Sequence, residues 1–323
     1  MAVRVGFVGA GGIAGAHMNS LSQVKNAQLV AFADLDESRA QRAAERFGAT
    51  AYTDYHQMLE REDLQAIYVC IPPFAHTDAE IAAAGRGLGV FVEKPVAINM
   101  DKAREIEAAL SAAGVANAVG YHWRYYDLTE RCQELLASRT VGMAMGYWLG
   151  GLPGVPWWRR MDGSGGQIVE QTTHIVDLAR CLVGDVKTVS CHAALRALQD
   201  VENLDVPDVS SFSLAFESGA VGHIASACLC PTGYTVGLNI LTRDLIIEHR
   251  AGRLRLIEAH QTTELRSRTN PTVREDQTFI DAVESGDHSQ IRSPYADAVK
   301  TLAVTLAANR SAETGAPVEV ADM

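Results

Sequence analysis

The sequence predicts an α/β chain of two domains: a doubly wound parallel sheet over residues 1–120, then a β-rich second domain with flanking helices over 121–323. Three observations predict it. A short strand runs straight into a glycine-rich turn and a helix near the amino terminus. Strand and helix signals then alternate as far as Val119. From Val186 onward the chain becomes a succession of short alternating runs. The 323 residues leave room for two cores, and 47% hydrophobic with 21% charged residues is ordinary for a soluble globular protein.

Val3, Val5, Phe7 and Val8 form the first strand, which ends at Gly9-Ala10-Gly11-Gly12-Ile13-Ala14. This is G-x-G-x-x-A between a strand and a helix, the context in which the pattern marks a dinucleotide site. Gly9 permits the tight turn, Gly11 and Gly12 let the backbone approach a pyrophosphate, and the small Ala14 allows close helix-to-strand packing. The helix amino terminus, opening at Ile13, offers N–H groups and the positive end of its dipole to the phosphates. The second strand, Gln28 to Ala33, ends in Asp34. An acidic residue about 20 positions after the motif hydrogen-bonds a ribose hydroxyl and repels a 2′-phosphate, which favours NAD. Leu35 follows it, and Arg39 keeps NADP open because a guanidinium suits a phosphate.

Asp36 is placed to cap a helix over 37–47, which Gly48 closes. A strand at 66–71 ends in Ile71-Pro72, a helix follows over 77–84, and Val90 to Val92 form a buried strand that stops at Glu93-Lys94-Pro95. In open α/β sheets ligands bind outside the carboxyl ends of the strands, so Ile71, Pro72, Glu93 and Lys94 are expected at the crevice. A helix over 100–113, capped by Asn99 and ended by Gly114, and a strand over 115–119 complete the sheet.

The formal charge of −11 lacks the clustered Lys and Arg that grip a phosphate backbone, so nucleic acid is not an expected partner. Apolar runs fall short of the roughly 20 residues a membrane span needs, and no room is left for a leader before the first strand; a cytoplasmic protein is expected. The six cysteines show no C-x-x-C pair and read as reduced core thiols.

In the second domain, Asp127 and Glu130 are spaced as a capping box for a helix to about Ser138, and 143–149 reads as a strand. The patch Pro153 to Arg160 brings Trp157, Trp158 and Arg159 together, faces and donors that suit a polyhydroxylated ligand or, equally, pack a loop on a sheet. Gly165-Gly166 precedes a helix over 168–182, on which Glu170, His174 and Asp177 share a face. That set admits a metal reading, although no metal is the expectation. Strands at 186–193, 211–216, 221–228, 237–242, 245–249 and 254–258 build a meander-like sheet, and helices at 273–284 and 294–309, the latter with Ser293 as N-cap, close the domain.

Taken together, GAGGIAGAH at Gly9 to His17, IPPFAH at Ile71 to His76, VEKP at Val92 to Pro95, GYHWRYYD at Gly120 to Asp127 and GGQIVEQTTHIVD at Gly165 to Asp177 resemble the glucose-fructose oxidoreductase, inositol dehydrogenase and rhizopine-catabolism family (Gfo/Idh/MocA). The resemblance implies an α/β Rossmann domain followed by an α+β domain with a large open, mostly antiparallel sheet. It also implies an NAD(P)-dependent oxidoreductase acting on a CH–OH carbon of a sugar, cyclitol or glycoside. Lys94 and His174 are then catalytic, with Glu170 or Asp177 orienting the imidazole or a substrate hydroxyl. Glu93 and His76 fall to the cofactor, and His122, Arg124, Gln171 and Tyr234 join the tryptophan patch as substrate residues. Glu170 stands where the family usually has Asp, Gln171-Thr172-Thr173 replaces a segment containing Gly, and Thr235 replaces the Asp of a Gly-Tyr-Asp loop, so the substrate need not be inositol or glucose. Two rival readings are an NAD-retaining glycosidase working by transient oxidation and a non-catalytic NAD-binding sensor. A large sheet with one helix-covered face implies a homodimer or homotetramer through that sheet.

Overall fold

The computed structural model describes residues 2–323. The chain divides into two compact units. The first comprises the segment up to Ala97, Asp101–His122 and Asn270–Val299; the second comprises Ile98–Met100, Trp123–Thr269 and Lys300–Met323. This corrects the expected contiguous boundary at 120/121. Residues 270–299 return to the first unit because Phe279, Ile280 and Ala282 pack into its core with Phe7, Tyr68 and Phe91, a contact no local pattern announces.

The first unit carries β1 (Val3–Val8), α1 (Gly12–Leu21), β2 (Ala27–Ala33), α2 (Glu37–Phe47), β3 (Thr50–Tyr52), α3 (Tyr55–Arg61), β4 (Ala66–Val69), α4 (Ala79–Ala84), β5 (Gly89–Val92), α5 (Met100–Ala113) and β6 (Asn117–Val119). Its six strands are all parallel in the order β3-β2-β1-β4-β5-β6. Strand order reverses between β1 and β4, so ligand-binding loops gather at the carboxyl ends of those strands. β1, β4 and β5 are almost wholly buried, as expected of strands covered on both faces. Phe7, Tyr68 and Phe91 stack across three adjacent strands with centroids 5.0 and 4.6 Å apart. Asp36 caps α2 through the Ser38 N–H, and Gly48 closes it in the left-handed region, as the sequence predicts. The short β3 and α3 lay below the reach of periodicity.

The second unit carries α6 (Asp127–Leu136), β7 (Met143–Leu149), α7 (Met161–Ser164), α8 (Thr173–Val183), β8 (Val186–Ala194), β9 (Val209–Phe216), β10 (Val221–Ala227), β11 (Thr235–Leu241), β12 (Ile246–Arg250), β13 (Arg253–Glu258) and β14 (Gln261–Arg266). After α9 (Pro271–Ser285) of the first unit come α10 (Tyr295–Thr314), within which the division falls, and β15 (Val318–Glu319). Nine strands form one sheet in the order β14-β13-β12-β11-β7-β10-β9-β8-β15, antiparallel except for the β7/β10 pair. Its core joins Ile175, Leu178 and Leu182 of α8 to Phe212, Leu214, Ile224, Leu238 and Ile240 of the strands.

Two expected caps are replaced. The Asp127 carboxylate accepts hydrogen bonds from the Ser267 hydroxyl (2.6 Å) and the Arg268 N–H (3.0 Å), so it ties down the chain after β14 instead of forming a capping box. Ser293 donates its hydroxyl to the Val119 carbonyl (2.6 Å), and Asn117 Oδ1 accepts the Tyr295 N–H (2.9 Å) at the start of α10. In both cases a long-range partner outcompetes a local one of similar strength. No helix among the described residues is long and apolar enough to cross a membrane.

Candidate active site

In the first unit, β1 ends at Gly9, whose φ of 92° only glycine adopts readily and whose added Cβ would fall 2.4 Å from the Cys70 carbonyl oxygen. The turn then delivers Gly11 as N-cap of α1, with no side chain bonded there and no acidic residue in the first turn. A Cβ on Gly11 or Gly12 would meet nothing within 4 Å, so space is open beside the backbone at the start of α1, where a helix amino terminus suits an anion. Ala14 is fully buried at the helix–sheet contact. Asp34 Oδ2 accepts the Ala10 N–H (2.8 Å) and Oδ1 accepts the Asp36 N–H (2.9 Å), fixing the carboxylate against the loop while each oxygen keeps a lone pair. Ile13 and Leu35 present apolar surface beside it, 47% and 96% exposed. Phosphate, ribose hydroxyl and a flat apolar base are what this set accommodates. Arg39 leans on Asp36 (3.3 Å), so the guanidinium is drawn to the helix cap. Ile71 and Pro72 follow β4 as expected.

His76 is buried against Glu80, four residues on, with both side chains fully enclosed.

Lys94 follows β5, and its backbone N–H donates to Glu93 Oε2 (2.9 Å). The other Glu93 oxygen lies 2.8 Å from His17 Nε2, and His17 Nδ1 lies 2.8 Å from Asp276 Oδ1. Burial alone would push His17 down, but Asp276 and Glu93 outweigh it and hold the imidazole well above its ordinary value. His122 behaves oppositely: burial pushes it down to about 4, with Lys94 and His17 acting in the same direction and Glu93 against. The sequence pattern singled out neither His17 nor Asp276 as a site residue. The signal for His17 was the α1 face Ala14, His17, Met18, Leu21, which sets one imidazole on an apolar stripe; Asp276 gave none.

In the second unit, the expected helix from 168 is broken in character: Ile168–Thr172 is a π turn, and α8 starts at Thr173. Such a turn adds a residue per winding and re-aims the side chains beyond it, a feature frequent at functional sites. Glu170 lies within this turn, and His174 and Asp177 lie in α8. Glu170 Oε2 accepts the Trp158 indole N–H (2.7 Å), and the His174 ring stacks on Trp148 at 5.6 Å and 17°. Asp177 accepts Arg124 Nε (2.7 Å) and Nη2 (2.6 Å) and the Thr301 hydroxyl (3.0 Å). Asp177 and Arg124 thus form a buried bidentate ion pair. Trp158 is 1% exposed among Val206 and Cys228, so it packs, while half-buried Trp157 lies at the edge of that cluster. Arg159 reaches the Glu202 carbonyl at 3.4 Å. Gln171 accepts from Gln167 at 3.4 Å, and Tyr234 stands 76% exposed before β11. Among the described residues no group of three or more His, Cys, Asp or Glu could hold a metal ion.

Comparison with known proteins joins these observations. Residues 3–121 match the family described as "Oxidoreductase family, NAD-binding Rossmann fold", and residues 134–247 match the GFO/IDH/MocA C-terminal domain. D-xylose 1-dehydrogenase (NADP(+)) 2 of Haloferax volcanii is 28% identical, over 98% of this chain and 99% of its own. Myo-inositol 2-dehydrogenase of Thermotoga maritima is 27% identical, over 72% of this chain and 70% of its own. Levoglucosan dehydrogenase, solved in complex with NADH, shares the fold with a TM-score of 0.89 at 20% identity, over 99% of each chain. The chain belongs to the Gfo/Idh/MocA family of NAD(P)-dependent oxidoreductases.

Proposed function

We propose that the chain is a dehydrogenase that transfers hydride between NAD and a secondary alcohol carbon of a sugar, cyclitol or glycoside. The observation that carries this reading is the delivery of Lys94 at the carboxyl end of β5, in the same parallel sheet whose β1 ends at the open glycine turn. The relatives named as xylose and inositol dehydrogenases support the substrate class. Bound NAD supplies the hydride acceptor. Gly11, Gly12 and the start of α1 hold its phosphates, and Asp34 takes its ribose hydroxyls and disfavours a 2′-phosphate. His174 accepts the hydroxyl proton as the C–H bond breaks, acting as general base. Lys94, a cation, stabilises developing alkoxide charge. Glu170, steadied by Trp158, and Gln171 bind substrate hydroxyls.

Strand alternation leaves Met143, Met145 and Val221 exposed on one face of the nine-stranded sheet (38, 39 and 50%), with Met143 directly beside Val221. This apolar strip is the proposed contact of a homodimer or homotetramer. The test of function is a screen of sugars, cyclitols, glycosides and sugar acids for nicotinamide reduction, with NAD and NADP in parallel. Reduction of NAD by one class supports the proposal. Glycoside cleavage without NADH release, or tight NAD binding with no turnover of any alcohol, overturns it.

A further inference from the structure

The first unit buries a charged cluster that the chemistry above does not use. His17, Asp276 and Glu93 are 1, 0 and 6% exposed, and they come from α1, α9 and the turn after β5. Both imidazole nitrogens face carboxylate oxygens at 2.8 Å. A neutral imidazole carries one N–H and would set its bare nitrogen against one of the two buried carboxylate oxygens, lone pair to lone pair; the imidazolium donates to both. The ring is boxed by Phe91, edge-on at 4.9 Å, and by Tyr68 at 5.3 Å. A third observation concerns Gly120. A Cβ there would fall 2.6 Å from Glu93 Oε1 and 2.8 Å from its Cδ, so the backbone after β6 presses the Glu93 carboxylate into place.

We propose that His17, as an imidazolium shared by Asp276 and Glu93, is a positioning residue that locks Glu93 and through its second oxygen the Lys94 backbone, tying Lys94 to the helix that opens at the cofactor loop. The consequence is a fixed register between the two parts of one catalytic apparatus. His17 lies on the ten-residue helix, Gly12–Leu21, that the glycine turn opens with Gly11 as its N-cap, and Glu93 and Lys94 are adjacent. A rigid link from α1 to Lys94 holds the cation where an alcohol bound against the cofactor needs it, and geometric errors of about 1 Å at such a place cost on the order of a hundredfold in rate. The importance of this link for turnover rests on the dehydrogenase reading; the link itself does not. The titratable groups around the imidazole are Asp276 from α9, Glu93 after β5, Tyr68 from β4, Cys70 just beyond it, and His122 after β6. Tyr68 and Cys70 are both pushed up, by burial first and then by the carboxylates, and so stay neutral.

The test uses the NADH-bound protein labelled with 15N-histidine, the His17 signal being assigned by its loss in His17→Gln. The expected spectrum keeps His17 doubly protonated at about pH 8, and Asp276→Asn moves its titration to lower pH. A His17 ring already neutral near pH 7 overturns the proposal. In parallel, acetic anhydride labels Lys94 in the NADH complex, with exposed Lys187 as the internal reference. His17→Gln and Gly120→Ala should each change the Lys94 labelling rate by about threefold or more. For an alcohol that the wild type oxidises, kcat should fall about tenfold while NADH affinity changes by less than about threefold. Unchanged Lys94 labelling in folded variants, judged by circular dichroism, overturns the positioning role. Should His17→Gln fail to fold, the nearly isosteric Asp276→Asn carries the same labelling and rate criteria. A wild type that oxidises none of the alcohols overturns the dehydrogenase reading and leaves the spectral and labelling criteria in force.

Discussion

Two buried histidines, one in each unit, are held in opposite charge states. In the first, His17 lies between two carboxylates and is held as a cation. In the second, His249 is 0% exposed, its Nδ1 against the Arg250 carbonyl (3.1 Å) and its Nε2 against the Thr129 hydroxyl (3.0 Å), and burial pushes it down to about 4. Desolvation acts on both rings in the same direction. What differs is whether a formal negative charge stands beside the ring to reverse it. The second unit commits one deeply buried carboxylate, Asp177, to Arg124, a partner that is always charged.

The largest expected effects separate the chemistry of the units from their architecture. Lys94→Ala in the first and His174→Ala in the second should each lower kcat by about 10²- to 10⁴-fold, with NADH affinity nearly unchanged, read by steady-state kinetics and fluorescence titration. Equal kcat in either variant removes that residue from the mechanism.

Next in size is the buried pair of the second unit. Asp177→Leu or Arg124→Met alone leaves one charge stranded and should cost about 3–5 kcal/mol in urea unfolding, whereas the double variant should recover most of that loss. A double variant as unstable as either single one would show that the pair supplies stability which packing cannot replace.

The comparison of histidines makes a pH prediction of smaller size. His249 has a folded pKa below its unfolded value, so it costs nothing above about pH 6.5 and destabilises the protein as pH falls through about 4. The shift corresponds to roughly 3 kcal/mol, and His249→Phe should flatten this acid limb. His17 has the opposite sign. Its contribution is complete below about pH 6.5 and is lost as pH rises through its elevated folded value, so unfolding at alkaline pH should be less sensitive to pH in His17→Gln. Parallel pH profiles for the two variants would abolish the contrast. The smallest effect is on assembly: Val221→Arg, on the open sheet face, should lower the oligomeric mass in sedimentation and leave the fold of the protomer intact.

Much of the first unit was legible because its signals are local. The strand, glycine turn and helix at the amino terminus, Asp34 after β2, and the cap and closing glycine of α2 are consecutive in sequence and fall where the pattern placed them. Strands β7 to β13 were legible within a residue or two for the same reason, since side chains alternate with period two, whereas β14 (Gln261–Arg266) had no counterpart in the expected strands. The site was less so. Helical spacing set Glu170, His174 and Asp177 on one face, but it announces neither the π turn at Ile168–Thr172, in which Glu170 lies, nor the Arg124 partner of Asp177. Trp158 read equally as a ligand face or a packing residue until its indole was found on Glu170.

Residue order alone was enough for the dinucleotide turn, the acidic residue after it, and the strand that ends in Lys94, because each depends on the conformational range and charge of residues adjacent in the chain. The charge state of His17, the use of Asp177 and the membership of residues 270–299 emerged only in three dimensions. Those depend on partners 259, 53 and more than a hundred positions away, brought together by burial of apolar surface that specifies which faces meet and leaves the buried polar groups to find one another.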